Sequence, residues 1–149
     1  MLRYIFVHII VLLGLVQGTR NPNQRFMDIM KSACKLADMI ISGNSVHFYE
    51  THVNQMTRLA SEHMKSLTKH ERSKIKTENY HDSFDKCFIL IENSSREYST
   101  QMLRLLSQFL FIRRFKYDII PRLVQVLSSP TCSCIPEAYE LLSNLAAFW

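Results

Sequence analysis

The chain has 149 residues, of which 47% are hydrophobic and 21% are charged, and its formal net charge at neutral pH is +5. This balance is typical of one folded globular domain and excludes a disordered chain. Only three glycines and four prolines are present. Collagen-like, linker-like and hairpin-rich β structures are therefore excluded, because their turns and repeats need many more of these residues.

The first 18 residues have the layout of a secretory signal peptide. The charged residue Arg3 precedes an apolar run from Ile5 to Val16, and the small residue Gly18 ends the segment. We expect cleavage after Gly18, which leaves residues 19–149 as a single secreted domain. A membrane anchor is disfavoured, because the apolar run is shorter than the roughly 20 residues that a spanning helix needs.

The remaining chain repeats apolar residues at helical spacing, so we predict an all-α fold. A first apolar stripe covers residues 26–41 and ends at Gly43, where a glycine favours helix termination. A second stripe covers residues 49–67 and is followed by a polar segment at 69–79. Stripes at 80–98 and 102–112 come next, and they are either continuous or broken near residues 93–95.

Pro121 is expected to interrupt the chain before a short helical element at residues 123–127. A loop over residues 129–135 then precedes a last helix, with Pro136 in its first turn. The apolar stripes are wide enough to be the inner faces of a helical bundle. The sequence therefore predicts a compact, disulfide-stapled bundle of about five helices.

Four cysteines in a secreted chain predict two disulfide bonds. Cys132 and Cys134 are only two residues apart, so a bond between them would close a small, strained ring. We therefore expect Cys34 and Cys87 each to be linked to one of this pair, in an order that the spacing leaves open. A zinc site is the alternative, but the paired spacing of zinc-binding cysteines is missing.

One glycosylation sequon is present, at Asn93-Ser94-Ser95. A secreted chain passes the glycosylating enzyme, and the position between helical stripes favours an exposed site. Asn93 is therefore a candidate for glycan attachment.

The sequence has no recognisable catalytic or cofactor motif. HExxH, GxSxG and glycine-rich phosphate loops are missing, and the cysteines are expected to be bonded. The histidines of the mature chain are interpreted as surface or boundary residues: His47, His52, His63, His70 and His81. We therefore predict a protein that is not an enzyme and holds no cofactor or metal.

Positive charge is concentrated in one polar stretch, which we name as the candidate partner-binding segment: Lys65, Lys69, Arg72, Lys74 and Lys76. Such a cluster could bind an acidic patch of a receptor or an anionic glycan. The alternative interpretation is that these residues are only a solvated helix end and loop. Arg113-Arg114 could be a processing site, but the surrounding apolar periodicity favours an exposed helix face. Nucleic acid is an unsuitable partner for a secreted protein.

Three functions fit these observations. The favoured one is a secreted binding protein of the signalling or modulatory type, similar in architecture to cytokines, hormones and small proteins of seminal, salivary or venom secretions. The second is a carrier that encloses a small apolar ligand within the bundle. The third is an effector that acts on membranes, for which the apolar end at residues 141–149 is the only indication.

Overall fold

The computed structural model describes residues 21–43, 48–76 and 80–147. Within these ranges the chain is all-helical and contains no strand, which confirms the predicted fold class. The helices are α1 (Pro22–Ile41), α2 (Tyr49–Ser66), α3 (Lys69–Ser73), α4 (His81–Asn93), α5 (Arg96–Ser107), α6 (Arg113–Ser128) and α7 (Ile135–Ala146), with a short 3₁₀ helix at Gln108–Phe111. The expected signal peptide, residues 1–18, lies outside the described residues.

The helix ends follow from local side-chain chemistry. Asn21 caps α1, because its Oδ1 accepts hydrogen bonds from the backbone N–H groups of Asn23 and Gln24 at 3.0 and 3.4 Å. At the other end of α1, Gly43 adopts the left-handed conformation with φ of +83°, as its predicted role in termination requires. Ser95 caps α5, so the stripes on either side of Asn93 are separate helices.

Helix α3 lies inside the segment that the sequence shows only as polar. Thr68 and Glu71 form a capping box, in which each side chain bonds the other residue's backbone N–H at 3.1 Å. These hydrogen bonds from Thr68 also lower the pKa of the Glu71 carboxyl group. The spacing of threonine and glutamate is thus the local signal that defines this short helix.

Pro121 does not interrupt the chain as expected, because α6 continues through it from Arg113 to Ser128. A proline removes one backbone hydrogen bond and crowds the preceding turn. Pro121 lies on the exposed face of α6, where water can replace that hydrogen bond. Ile119 and Leu123 on the inner face remain fully buried, and their packing keeps the helix continuous.

The core of the bundle forms where α1 packs against α4 and α2, while α2 packs against α5 and the 3₁₀ helix. Phe26 on α1 lies at its centre and contacts the rings of Tyr80, Phe109 and Phe115 edge-on, at centroid distances of 5.8, 4.9 and 6.3 Å. All four rings are fully buried. These four aromatic residues thus pack the helices together.

The four cysteines are free thiols, and none is at bonding distance. Cys34 on α1 lies near Cys87 on α4, whose pKa is raised by burial and by the neighbouring Cys34. Cys132 and Cys134 lie side by side, with their sulfur atoms 3.5 Å apart. The sulfur contact at the loop thus joins two loop cysteines, and the expected pairing of Cys34 and Cys87 with Cys132 and Cys134 stays a prediction. The disulfide bonds themselves stay a prediction.

Two histidines are buried, contrary to their interpretation as surface or boundary residues. The exposed fractions of His52 and His63 are 8% and 5%, and burial lowers the pKa of both imidazoles. His63 Nε2 donates a hydrogen bond of 3.0 Å to the backbone carbonyl of Pro22, which joins α2 to the start of α1. His70 and His81 are exposed as expected, and His47 lies outside the described residues.

Candidate functional site: a basic cleft

An open cleft of about 870 Å³ lies at the end of the bundle where three helices begin. The start of α1 contributes Asn23 and the capping residue Asn21. The end of α3 and the segment after it contribute residues 73–76, and the starts of α4 and α6 contribute His81 and Arg114. Pockets of this volume are large enough for a small molecule or for a protruding group of a larger partner.

The segment that follows α3 is fixed to α1 at the floor of the cleft. The backbone N–H of Lys76 donates a hydrogen bond of 3.0 Å to Asn23 Oδ1. Ile75 is buried, with an exposed fraction of 6%, whereas Lys74 and Lys76 on either side of it are exposed. The buried isoleucine therefore anchors the segment while the two ammonium groups remain accessible.

The lining of the cleft is positively charged. Lys74, Lys76 and Arg114 are basic side chains, and no described lining residue is acidic. The N-termini of α1, α4 and α6 add the partial positive charge of their backbone dipoles. Together these groups favour the binding of an anion.

Arg114 belongs to a small network beside the cleft. Its Nε lies 3.8 Å from Asp118 Oδ1, but the arginine side chain is 72% exposed, so this ion pair is strongly screened by water. Asp118 also accepts a hydrogen bond from the hydroxyl of buried Tyr80. The Tyr80 ring stacks on His81 at a centroid distance of 5.1 Å. Asp118 and Tyr80 thereby help to hold Arg114 and His81 at the edge of the cleft.

The five residues of the predicted partner-binding segment are divided by the fold. Lys74 and Lys76 line the cleft, whereas Lys65 and Lys69 are exposed outside its lining. Arg72 has a structural contact instead, because its Nη1 donates to the backbone carbonyl of Leu67 at 2.9 Å and to that of Met64 at 3.4 Å. Both carbonyls lie at the end of α2, and that of Met64 also accepts a hydrogen bond of 3.4 Å from the backbone N–H of Leu67.

Sequence reasoning missed four of the lining residues: Asn21, Asn23, His81 and Arg114. They come from three separate helices, and no local pattern relates them to the lysines. Arg113 and Arg114 are both exposed at the start of α6, in agreement with the exposed-face interpretation. Arg113 stays beside Tyr117, to whose hydroxyl it donates a hydrogen bond of 3.4 Å, and Arg114 alone of the two lines the cleft.

Asn93 is exposed at the last residue of α4, at the opposite end of that helix from the cleft. Its Nδ2, the atom that would carry a glycan, donates a hydrogen bond of 2.8 Å to the carbonyl of Ile89. Its Oδ1 lies 3.2 Å from the hydroxyl oxygen of Thr131. The side chain is accessible, and it is oriented by these contacts.

Within the parts of the chain that the structure describes, no three His, Cys, Asp or Glu side chains are grouped to hold a metal ion. In the same ranges, no helix is both long and apolar enough to cross a bilayer. Comparison with protein-family models, curated proteins and solved structures finds no significant match to this chain. The function is therefore inferred from the chemistry of the cleft.

Proposed function

We propose that this chain is a secreted, non-enzymatic helical protein that acts by binding an extracellular partner through the basic cleft. The observation that carries the proposal is the convergence of Lys74, Lys76 and Arg114 on one open cleft, in which none of the lining residues that the structure describes is acidic. Charges of one sign in a concave surface attract and orient a partner of the opposite sign.

The chemistry of the cleft favours an acidic surface of a receptor or of another secreted protein. The cationic groups are exposed and come from separate elements, so they can contact several carboxylates of a folded partner at once. A carrier of an apolar ligand would instead need an enclosed apolar pocket. The open, charged cleft therefore supports the binding protein over the carrier.

The proposal includes three features of a secreted protein. The signal peptide at residues 1–18 is removed, Asn93 carries a glycan, and the four cysteines form two disulfides in an oxidising compartment. The exposure of Asn93 supports the second feature. Amino-terminal sequencing of protein from the medium tests the first: a start at or near Thr19 is expected, and Met1 on the secreted protein contradicts it.

The cleft is tested by charge reversal. We expect the triple variant Lys74→Glu, Lys76→Glu and Arg114→Glu to keep its helical circular dichroism, because these side chains are exposed. Its affinity for proteins captured by the wild type from the native extracellular fluid should fall at least tenfold. The wild-type interaction should also weaken as salt rises from low to physiological concentration.

A matched control separates the cleft from the general positive charge of the molecule. Lys31, Lys65 and Lys69 are exposed and do not line the cleft, so their replacement by glutamate makes the same change in net charge. This control should retain most of the binding. Equal losses in both triple variants, or no loss in either, would contradict a role for the cleft. Heparin distinguishes a protein partner from a sulfated glycan. If the cleft variant is retained on immobilised heparin as strongly as the wild type but loses its protein binding, the partner is a protein.

A further inference from the structure

The loop between α6 and α7 is attached to the carboxyl end of α4. Thr131 Oγ1 donates to the carbonyl of Glu92 at 2.9 Å, and Ser133 Oγ donates to that of Ser94 at 2.9 Å. Carbonyl groups at the end of a helix lack partners within it, so this loop supplies the missing donors. The loop is thereby held in place independently of its cysteines.

Cys132 and Cys134 lie within this fixed loop and contact each other. Their sulfur atoms are 3.5 Å apart, and they lie 3.8 and 4.0 Å from the carbonyl oxygen of Ile91. A disulfide bond has a sulfur–sulfur distance of about 2.05 Å, so bond formation requires an approach of about 1.5 Å. The hydrogen bonds of Thr131 and Ser133 fix the loop on both sides of Cys132.

We propose that Cys132 and Cys134 form a reversible dithiol–disulfide pair that exchanges with an external disulfide such as that of glutathione. In the first step the Cys132 sulfur attacks the external disulfide, forms a mixed disulfide and releases one thiol. In the second step the Cys134 sulfur attacks the Cys132 sulfur and releases the second external thiol. The protein loses two hydrogen atoms, and the external disulfide is reduced to two thiols.

The order of these steps follows from accessibility. Cys132 is 9% exposed and Cys134 is fully buried, so an external disulfide meets Cys132 first. Burial and the adjacent Cys132 raise the pKa of Cys134 to about 12, so its thiolate is scarce at neutral pH. Because the thiolate is the attacking form, ring closure should become faster as the pH rises.

The bond should be reversible because its ring contains a single intervening residue, Ser133. Strained disulfides are more easily reduced than unstrained ones and are the labile class in proteins. Cys34 and Cys87 belong to different helices, α1 and α4, and their pairing closes a much larger ring. The two pairs should therefore differ in their ease of reduction.

Trypsin separates the two pairs, which makes the test direct. No lysine or arginine follows Arg122, so residues 123–149 form one peptide that contains Cys132 and Cys134 alone. Cys34 and Cys87 are released in the peptides 32–35 and 87–96. The full chain is equilibrated with mixtures of glutathione and its disulfide, free thiols are alkylated, and the digest is analysed without reduction by mass spectrometry.

We expect the 123–149 peptide to lose two hydrogen atoms without cross-linking to another peptide, and to return to two alkylated thiols as reduced glutathione increases. In the variant Cys134→Ser, the remaining Cys132 should form a mixed disulfide with glutathione. In the variant Cys132→Ser, the remaining Cys134 should form that mixed disulfide at least tenfold more slowly. The matched variant Cys34→Ser should leave the reaction unchanged. Cross-links from the 123–149 peptide to 32–35 or 87–96, or two alkylated thiols at every glutathione ratio, would overturn the proposal.

Discussion

Replacement of Phe26 by alanine tests the assignment of the core. Phe26 is fully buried and contacts three aromatic rings, at centroid distances between 4.9 and 6.3 Å. Truncation of a buried phenylalanine to alanine costs about 3–5 kcal/mol, and each lost ring pair adds about 0.5–1.5 kcal/mol beyond simple burial. Part of that ring contribution is already included in the measured cost of such truncations. We therefore expect Phe26→Ala to lower the free energy of unfolding by about 4 kcal/mol.

A loss of this size is a large part of the total stability, since single domains unfold with free energies of about 5–15 kcal/mol. The assay is urea unfolding followed by far-ultraviolet circular dichroism. With a denaturant slope of about 2 kcal/mol per molar urea, the midpoint should fall by about 2 M. The slope itself should not change if the variant unfolds in the same way.

Phe111 provides the matched control within the same chain. Its side chain is 65% exposed and has the guanidinium carbon of Arg72 at 5.8 Å from its ring centroid. Phe111→Ala should therefore cost no more than about 1 kcal/mol, from a partly exposed cation–π contact and little burial. Equal losses in the two variants, or a loss below about 1.5 kcal/mol in Phe26→Ala, would refute the assignment of Phe26 to the centre of the core.

Three further predictions concern a helix end, a buried histidine and the sequon. Thr68→Ala should reduce the free energy of unfolding by about 1 kcal/mol through loss of the capping box, whereas Thr51→Ala, exposed on α2, should change it by less than about 0.5 kcal/mol. Because burial lowers the pKa of His63, the unfolded chain binds a proton more readily, and urea unfolding at several pH values should show stability falling below about pH 6.5. His63→Gln should make that decrease shallower; an unchanged pH profile would contradict it. Enzymatic deglycosylation should lower the mass of the secreted protein, and Asn93→Gln should abolish that change.

The helical class and most helix positions were determined by the sequence itself. Apolar residues at the spacing of three and four mark α1 and α2 directly, and the buried faces contain most of the residues that the stripes predict. Ile41 at the end of the first stripe is an exception, because it is 42% exposed. Gly43 and Pro136 mark a helix end and a helix start through backbone preferences that act locally. Such features can be predicted from the sequence because each depends on residues only a few positions apart.

The tertiary structure decided which distant residues meet. Pro121 stays helical because α6 buries Ile119 and Leu123 on its opposite side, and His63 is buried because α1 begins against it. The cleft unites Lys74 and Lys76 with Arg114 only through the packing of helices that are far apart in the chain. Burial and proximity between separate helices depend on how their apolar faces pack. That packing cannot be predicted from the spacing of residues within each local segment.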